Sequence, residues 1–448
     1  MSPSYDLIVI GAGPGGHAVA ESTAHLGAKV AIIESTHWGG ACTNWGCIPT
    51  KALLACSKAY SQLGKLKRMG IKTEASFDYA GFKKHQAQVV RVSRLGVQKS
   101  LQSAGVEMIE GHGKILAPDQ VEVSKPDSSK EILEAKHIVL AWGSEPFVLP
   151  GIKIKNRVLT SDGILALEEL PTSLVIVGGG VIGCEFATFF AELGTQVTIV
   201  ELFDQILPYE EIETAEFVQK ELEKLGITIH VGTKMETVNQ TASQVLLTAT
   251  KQANKLEIPA DYALMCIGRR PKLHKEELDQ LGINYSPKGI EVDQNQQTNL
   301  PGIYAIGDVT GGILLAHRAS HQGKCLANQL FGDKALTYTD QALPSCVYTH
   351  PNVARVGQTE KQLKESGQDY EVIKNEYGAN AIARAEILGN GYVKMLFVAD
   401  KLAGATIIGY DASELIASLA LAVSQGLSKQ DLQNWIIAHP SLSEIMVI

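Results

Sequence analysis

Apolar residues along this chain come in short runs that end on glycine. Residues 5–10 form one such run and stop at Gly11-Ala12-Gly13-Pro14-Gly15-Gly16. The next stretch reads as a helix to Leu26-Gly27, and a second apolar run, residues 28–34, closes on Glu34. This order (strand, G-x-G-x-x-G, helix, strand, acid) predicts a dinucleotide-binding βαβ unit. Gly11 permits the tight turn, Gly13 lets the backbone approach a pyrophosphate, and Gly16 lets helix and strand pack closely. The helix N-terminus offers N–H donors and the positive end of its dipole to the phosphates. Glu34 is placed to accept hydrogen bonds from a ribose.

The pattern returns. Residues 174–177 predict a strand and Gly178-Gly179-Gly180-Val181-Ile182-Gly183 the loop. A helix follows to Leu193-Gly194, and residues 196–201 predict a strand that closes on Glu201. Gly11 and Gly178, Gly16 and Gly183, and Glu34 and Glu201 are each 167 residues apart. One glycine loop is weak evidence. Two in register, each with strand, helix and acid, predict two dinucleotide sites and electron transfer between their ligands. The second unit lies in an insert bounded by Pro146 and Pro271. A 2′-phosphate calls for Arg or Lys just after its second strand. Residues 202–207 contain neither, and Glu201 would repel a phosphate, so this site reads as one for NAD(H). A third glycine segment, residues 298–308, reads as a strand ending in Gly307-Asp308, with Asp308 placed to meet a polyol.

Composition narrows the class. A chain of 448 residues suits two to four domains, and 45% hydrophobic with 20% charged residues is ordinary globular usage. Forty basic residues against 48 acidic ones give a net charge of −8, which argues against a nucleic-acid binder. Apolar runs fall short of the roughly 18–20 residues of a membrane span. The first run is short and lacks a basic flank, so it is expected to be a strand and not a signal peptide. The seven cysteines are odd in number and include no C-x-x-C pair. That argues against a secreted disulfide framework and a thiolate zinc site, and for a reducing compartment.

One cysteine pair carries candidate chemistry: Gly39-Gly40-Ala41-Cys42-Thr43-Asn44-Trp45-Gly46-Cys47-Ile48-Pro49-Thr50-Lys51. A disulfide needs Cα atoms about 4.4–6.8 Å apart, closer than residues five apart in a regular helix. A bonded pair therefore requires an irregular or tightly wound segment. Gly46 supplies permissiveness, and Pro49 fits the first turn of a following helix. Thiols near a helix N-terminus have a lowered pKa and exchange readily, so the pair reads as a redox couple beside the first dinucleotide. At the far end, His439-Pro440-Ser441-Leu442-Ser443-Glu444 joins a histidine to a carboxylate that can fix its tautomer. Such a base suits a thiol that must lose a proton before attacking a disulfide. His317 and His321, at i and i+4, read as part of a packed helix and not as a metal pair. Lys65-Leu66-Lys67-Arg68 reads as a solvated face.

Taken together, these motifs resemble the flavin-dependent pyridine nucleotide-disulfide oxidoreductases over nearly the whole chain. The likeness is closest to the members that oxidise dihydrolipoamide with NAD. Further motifs carry it: Ile267-Gly268-Arg269-Arg270-Pro271, Leu315-Ala316-His317 and Tyr348-Thr349-His350-Pro351. The resemblance implies an α/β fold of two Rossmann-like dinucleotide-binding domains plus a C-terminal α+β dimerisation domain. The implied bounds are 1–145 and 272–340 for FAD, 146–271 for NAD and 341–448 for the dimer interface. It implies FAD at Gly11, Gly13, Gly16, Glu34, Gly40, Ala41, Lys51, Gly113, Ala141, Gly143, Asp308, Leu315, Ala316 and His317. NAD is implied at Gly178, Gly180, Val181, Ile182, Gly183, Glu185, Glu201, Val238 and Gly268. Cys42 would be the thiol that meets substrate and Cys47 the one against the flavin, with Glu185 paired to Lys51. His439, held by Glu444, would act from the partner subunit of a homodimer. No metal, nucleic-acid or membrane role is implied. The implied partners are lipoyl domains of a 2-oxo acid dehydrogenase or glycine-cleavage complex. The implied setting is the bacterial cytoplasm, or an organelle matrix if a transit peptide has been removed.

Three features depart from that family's pattern. Trp45 replaces a small aliphatic residue, Trp142 replaces a small polar one, and the chain stops four residues after Glu444. Three rival readings differ in testable ways. A glutathione-type reductase would want NADPH and basic residues after Glu201. A mercuric reductase would want a cysteine pair after Cys346. A non-catalytic scaffold would have no use for Cys42, Cys47 and His439 together.

Overall fold

The computed structural model describes residues 4–72 and 74–448. The chain divides into two compact units. One comprises residues up to Ala52, Phe82–Phe147 and Gly268–Tyr338. The other comprises Leu53–Gly81, Val148–Ile267 and Thr339–Ile448.

The first unit is built on a seven-stranded sheet. Glu107–Glu110, Val30–Glu34, Ser4–Ile10, Lys130–Leu140 and Ile303–Ala305 run parallel, while Gln120–Ser124 and His112–Ala117 add an antiparallel extension. Along Ser4–Ile10 the side chains alternate between two cores. Leu7 and Val9 pack with Val19, Leu101 and Leu326 from three helices, and Ile8 and Ile10 pack with Ile115, Leu133 and Ile138. A strand covered on both faces loses the apolar–polar alternation, which is why it reads in sequence as an unbroken apolar run. The helices Pro14–His25 and Ala316–Phe331 meet at glycine: a Cβ on Gly323 would lie 2.7 Å from the carbonyl oxygen of Gly15. The Gly-Asp segment differs from expectation. The strand ends at Ala305, and Gly307–Thr310 is a 3-10 turn, because Gly307 adopts φ +74° and gives its N–H to the buried Gln322 Oε1 at 2.8 Å.

The second unit contains the second glycine repeat. Its parallel sheet runs in the order Thr228–His230, Gln196–Val200, Ser173–Val177, Tyr262–Met265, Val158–Thr160. A three-stranded antiparallel layer, Lys234–Gln240, Val245–Lys251 and Asn254–Ala260, packs on it through Met235, Val245 and Leu247. The C-terminal part is a five-stranded antiparallel sheet, Ser345–Val347, Asn352–Gly357, Lys401–Gly409, Tyr392–Val398 and Glu371–Glu376. The helix Ala412–Gln425 covers one face, burying Ile416 and Leu419 against Val393, Met395 and Ile407. Each such fully buried aliphatic side chain contributes about 1.5–3 kcal/mol. Two parallel-sheet repeats and a C-terminal α+β part make up the expected fold class. Among the described residues, no helix is long and apolar enough to cross a membrane.

Candidate active site

The two glycine loops repeat the same backbone geometry. Gly11 and Gly178 both adopt φ +105°, where a side chain would be strained. A Cβ on Gly11 would also lie 2.4 Å from the Ala141 carbonyl oxygen, and one on Gly178 lies 2.3 Å from that of Cys266. Gly13 and Gly180 are the N-caps of the two following helices, and a Cβ on either would meet no described heavy atom within 4 Å. These are open cradles beside helix N–H groups, the geometry that receives a phosphate.

The strand-terminal acids brace the same loops. Glu34 Oε2 accepts the Ala12 N–H at 2.9 Å, and Glu201 Oε2 accepts the Gly179 N–H at 2.6 Å. Their other oxygens accept N–H groups two residues on, from Thr36 and Phe203, both at 2.8 Å. The 167-residue repeat thus extends to individual hydrogen bonds. Each carboxylate still has acceptor capacity, since an ionised carboxyl carries about four lone-pair sites.

The two cysteines flank a helix break. Cys42 lies in the short helix Gly40–Trp45 and Cys47 opens the helix Cys47–Leu66. Gly46 between them leaves helical geometry, at φ −135° and ψ −113°. This supplies the irregular winding that the spacing demanded. Both stand as thiols, Cys42 half-buried and Cys47 exposed. Their hydrogen bond, and then burial, push the Cys42 thiol far above its usual range, with the Lys51 charge opposing. That corrects the expected lowered pKa for this sulfur: Cys42 does lie in the first turn of its helix, but the bond with Cys47 and burial outweigh the lowering expected from that position. Asn44, which sequence reasoning passed over, holds the segment in place. Its Nδ2 donates to the carbonyls of Trp38 and Gly40 at 3.1 and 2.8 Å, and its Oδ1 accepts from Arg94 Nε at 2.9 Å. Trp45 packs edge-on against His37, with centroids 5.7 Å apart.

Asp308 belongs to a relay within the first unit. Ser144 Oγ donates to Asp308 Oδ2 at 2.6 Å and accepts from Arg269 Nε at 2.9 Å. Ser144 was another residue without a sequence signal of its own. Ala141 and Gly143 lie on the segment before it, where Trp142 stacks on His274 at 4.5 Å and packs into the core. Gly113 backs onto Ile10 and Ile33. Leu315 caps the helix that begins with Ala316 and His317, and both His317 and His321 are exposed on it. Gly268 also falls in this unit, its carbonyl accepting the Phe147 N–H at 3.0 Å.

The second unit holds the remaining candidates. Glu185 lies on the helix Val181–Glu192, its side chain 3% exposed, with Oε1 accepting the Tyr348 N–H at 3.1 Å. Val238 lies on the antiparallel strand Lys234–Gln240, beside the core of Met235 and Leu247, and not on the glycine loop. His439 is 78% exposed, and its Nδ1 meets Glu444 Oε1 at 2.8 Å. Glu444 Oε2 accepts the Ser441 N–H at 2.9 Å. That bond, and then the histidine, hold the Glu444 carboxyl below its usual range. A carboxylate fixed this way orients the ring and leaves Nε2 as the basic atom.

Residues 5–323 match the family described as pyridine nucleotide-disulphide oxidoreductase, and residues 343–448 match its dimerisation domain. The chain belongs to the pyridine nucleotide-disulphide oxidoreductase family. Its relatives include a dihydrolipoyl dehydrogenase of Chlorobaculum tepidum, 38% identical over 449 residues, covering 99% of this chain and 96% of the relative. Another, from Geobacillus stearothermophilus, is 38% identical over 445 residues, covering 98% and 94%. Among solved structures, LpdA of Mycobacterium tuberculosis superposes with a TM-score of 0.93 at 27% identity, covering 98% of each chain. The HOCl-induced flavoprotein disulfide reductase RclA of Escherichia coli superposes at 0.86 with 28% identity, covering 99% of this chain and 98% of that one. This pyridine nucleotide-disulphide oxidoreductase uses FAD and NAD(P). The open cradles at Gly13 and Gly180 fit two such dinucleotides.

Proposed function

We propose that this oxidoreductase oxidises protein-bound dihydrolipoyl groups to the disulfide and delivers the electron pair to NAD⁺. The observation that carries the reading is the Cys42–Cys47 dithiol, two hydrogen-bonded thiols on either side of the break at Gly46. It lies in the same unit as the first glycine loop. In this reading the loop Gly11 to Gly16, Glu34, Lys51 and Asp308 would hold FAD, which would supply a two-electron carrier. NAD lies on the loop Gly178 to Gly183, with Glu201 at its ribose. Residues 202–207 offer no cation to a 2′-phosphate, which favours NAD over NADP.

The cycle starts from the Cys42–Cys47 disulfide. His439 Nε2, its ring held by Glu444, takes the proton from one substrate thiol. The thiolate attacks Cys42 Sγ, the Cys42–Cys47 bond breaks, and its electron pair leaves on Cys47 Sγ. The second substrate thiol, deprotonated in turn, attacks the substrate sulfur of the mixed disulfide. Lipoyl disulfide departs, and Cys42 Sγ takes back a proton. Bound flavin supplies the two-electron carrier between thiolate and nicotinamide. His439 lies within the residues that match the dimerisation domain, and in this reading it serves the dithiol of a second copy. Lipoyl domains of a 2-oxo acid dehydrogenase or glycine-cleavage complex are the partners we infer. The setting we infer is the bacterial cytoplasm, since an odd number of cysteines in a long chain suits a reducing compartment and not a secreted disulfide framework.

The deciding experiment is steady-state turnover of dihydrolipoamide with NAD⁺, run beside glutathione disulfide with NADPH. Turnover is expected with the first pair. Turnover with the second pair alone would overturn the substrate assignment.

A further inference from the structure

We propose that Lys394 and Arg355, on the C-terminal sheet, are positioning residues for the pyridine-nucleotide loop, acting through residues 202–211. The inference rests on the reading above that Gly178 to Gly183 and Glu201 hold NAD.

Residues 202–211 follow Glu201, the residue after the strand Gln196–Val200, and are seated on the glycine loop. Leu207, at φ +47°, donates its N–H to the Gly179 carbonyl at 2.7 Å. Ile206 and Leu207 are buried, and Ile206 Cγ2 would lie 2.9 Å from a Cβ on Gly179. Phe203 gives its N–H to Glu201, and its carbonyl takes the Gly232 N–H at 2.8 Å. This end of the segment therefore sets where Gly179 and Glu201 lie.

The other end is tied to the C-terminal sheet by charge. Arg355, on the strand Asn352–Gly357, meets Glu210 Oε2 with Nε at 2.8 Å. Lys394, on the strand Tyr392–Val398 and only 4% exposed, ion-pairs with Glu211, with Glu360 at 3.2 Å and with Glu213 at 3.4 Å. Glu211 Oε1 also accepts the Glu360 N–H at 2.6 Å. Glu211 is the N-cap of the helix Ile212–Lys224, so its position fixes both the helix start and the end of the segment. Three carboxylates converge on one buried ammonium. Without that cation they repel, and Glu211 is the one attached to the loop. The displacement then passes through residues 202–211 to the backbone that cradles the pyrophosphate.

A staple that only stabilised the fold would affect every reaction alike. A positioning role is selective, and the test reads selectivity in FAD-loaded enzyme. NAD⁺ binding to the oxidised form is measured by calorimetry, and reduction by dihydrolipoamide by stopped-flow absorbance. Lys394→Met is expected to weaken NAD⁺ binding roughly tenfold, the scale on which residues outside a binding site modulate it, and to leave the dihydrolipoamide step at the parent's rate. Lys394→Arg restores most of the affinity. Arg355→Lys keeps the charge but loses the planar fork. It is expected to give a smaller loss of the same kind, and it carries the test if Lys394→Met does not fold. Unchanged NAD⁺ affinity, or parallel loss of both steps, overturns the positioning role. Failure of the parent enzyme to bind NAD⁺ overturns the dinucleotide reading itself, which separates the two failures.

Discussion

Gly183→Ala is the sharpest probe of how the chain assigns its two loops. In the structure a Cβ at this position would lie 2.0 Å from the Gly178 carbonyl oxygen, in the turn between strand and helix. Ordinary carbon–oxygen contacts begin near 3.3 Å, so the helix must retreat by about 1 Å or the turn must open. Either movement carries the N–H groups at the start of the helix away from the pyrophosphate. A misplacement of about 1 Å can cost on the order of 100-fold in rate. We therefore expect the purified variant to keep its yellow flavin and to be reduced by dihydrolipoamide at the parental rate. Its reduction by NADH should slow by on the order of 100-fold. The matched variant, Gly16→Ala, puts a Cβ 1.9 Å from the Gly11 oxygen, and it is expected to lose FAD instead. Flavin absorbance per chain and anaerobic stopped-flow reduction by each donor read both outcomes. If Gly183→Ala lost FAD while Gly16→Ala kept it, the assignment would be reversed. If neither variant changed, the close packing of helix on strand would not matter to binding.

Four further outcomes are expected. Cys42→Ser should abolish turnover of dihydrolipoamide while FAD stays bound; full turnover would remove the dithiol from the mechanism. His439→Ala should slow the dihydrolipoamide half-reaction by roughly 10²–10⁴ and spare reduction by NADH; equal loss in both would mark the histidine as structural. Glu201→Arg removes the repulsion toward a 2′-phosphate but also two bracing bonds, so affinity for NAD⁺ should fall by more than affinity for NADPH rises, as KM values for both would show. Glu277 is 5% exposed, accepts the Ile115 N–H with one oxygen and leaves Oε1 unpartnered among the described residues. Burial pushes its carboxyl from 4.5 up to about 7. The folded state therefore binds this proton more tightly, and stability falls as pH rises from the unfolded value through the folded one. The full difference is about 3 kcal/mol. Glu277→Gln should flatten that decline, so its stability relative to the parent rises between pH 5 and pH 8 in urea unfolding. Parallel curves would refute the buried-acid reading.

What the sequence made legible was whatever repeats or is locally encoded. The glycine loops announce themselves because backbone geometry at Gly11 and Gly16 tolerates no side chain, and the same constraint recurs 167 residues later. The irregular segment was legible because a bonded pair at that spacing would require one, and the helix does break at Gly46. Contacts between residues far apart in sequence were not legible. Asn44 is held by Arg94, Ser144 by Arg269, and Lys394 by three acids from two other segments. Nothing local distinguishes those polar residues from solvated ones, because their partners are chosen by the folded topology. The end of the strand before Asp308 was misjudged for a related reason. Gly307 turns there to meet Gln322, a residue on a helix that the local pattern does not reveal.

The paired acids show how a binding residue can be bound to its own scaffold. Glu34 and Glu201 were first read as ribose acceptors, yet each already spends both oxygens on backbone N–H groups of its own loop. Those bonds fix the second residue of the glycine loop relative to the strand end, so the carboxylate sets the width of the cradle. A neutral residue at that position therefore loses geometry before it loses recognition. A cation there loses geometry and gains only a charge whose placement the loop no longer controls. For Glu201 the constraint is doubled, since residues 202–211 continue from it to Arg355 and Lys394. Changing nucleotide preference in this chain is thus a problem of rebuilding the whole segment between the acid and the C-terminal sheet, and a single exchange of charge cannot solve it.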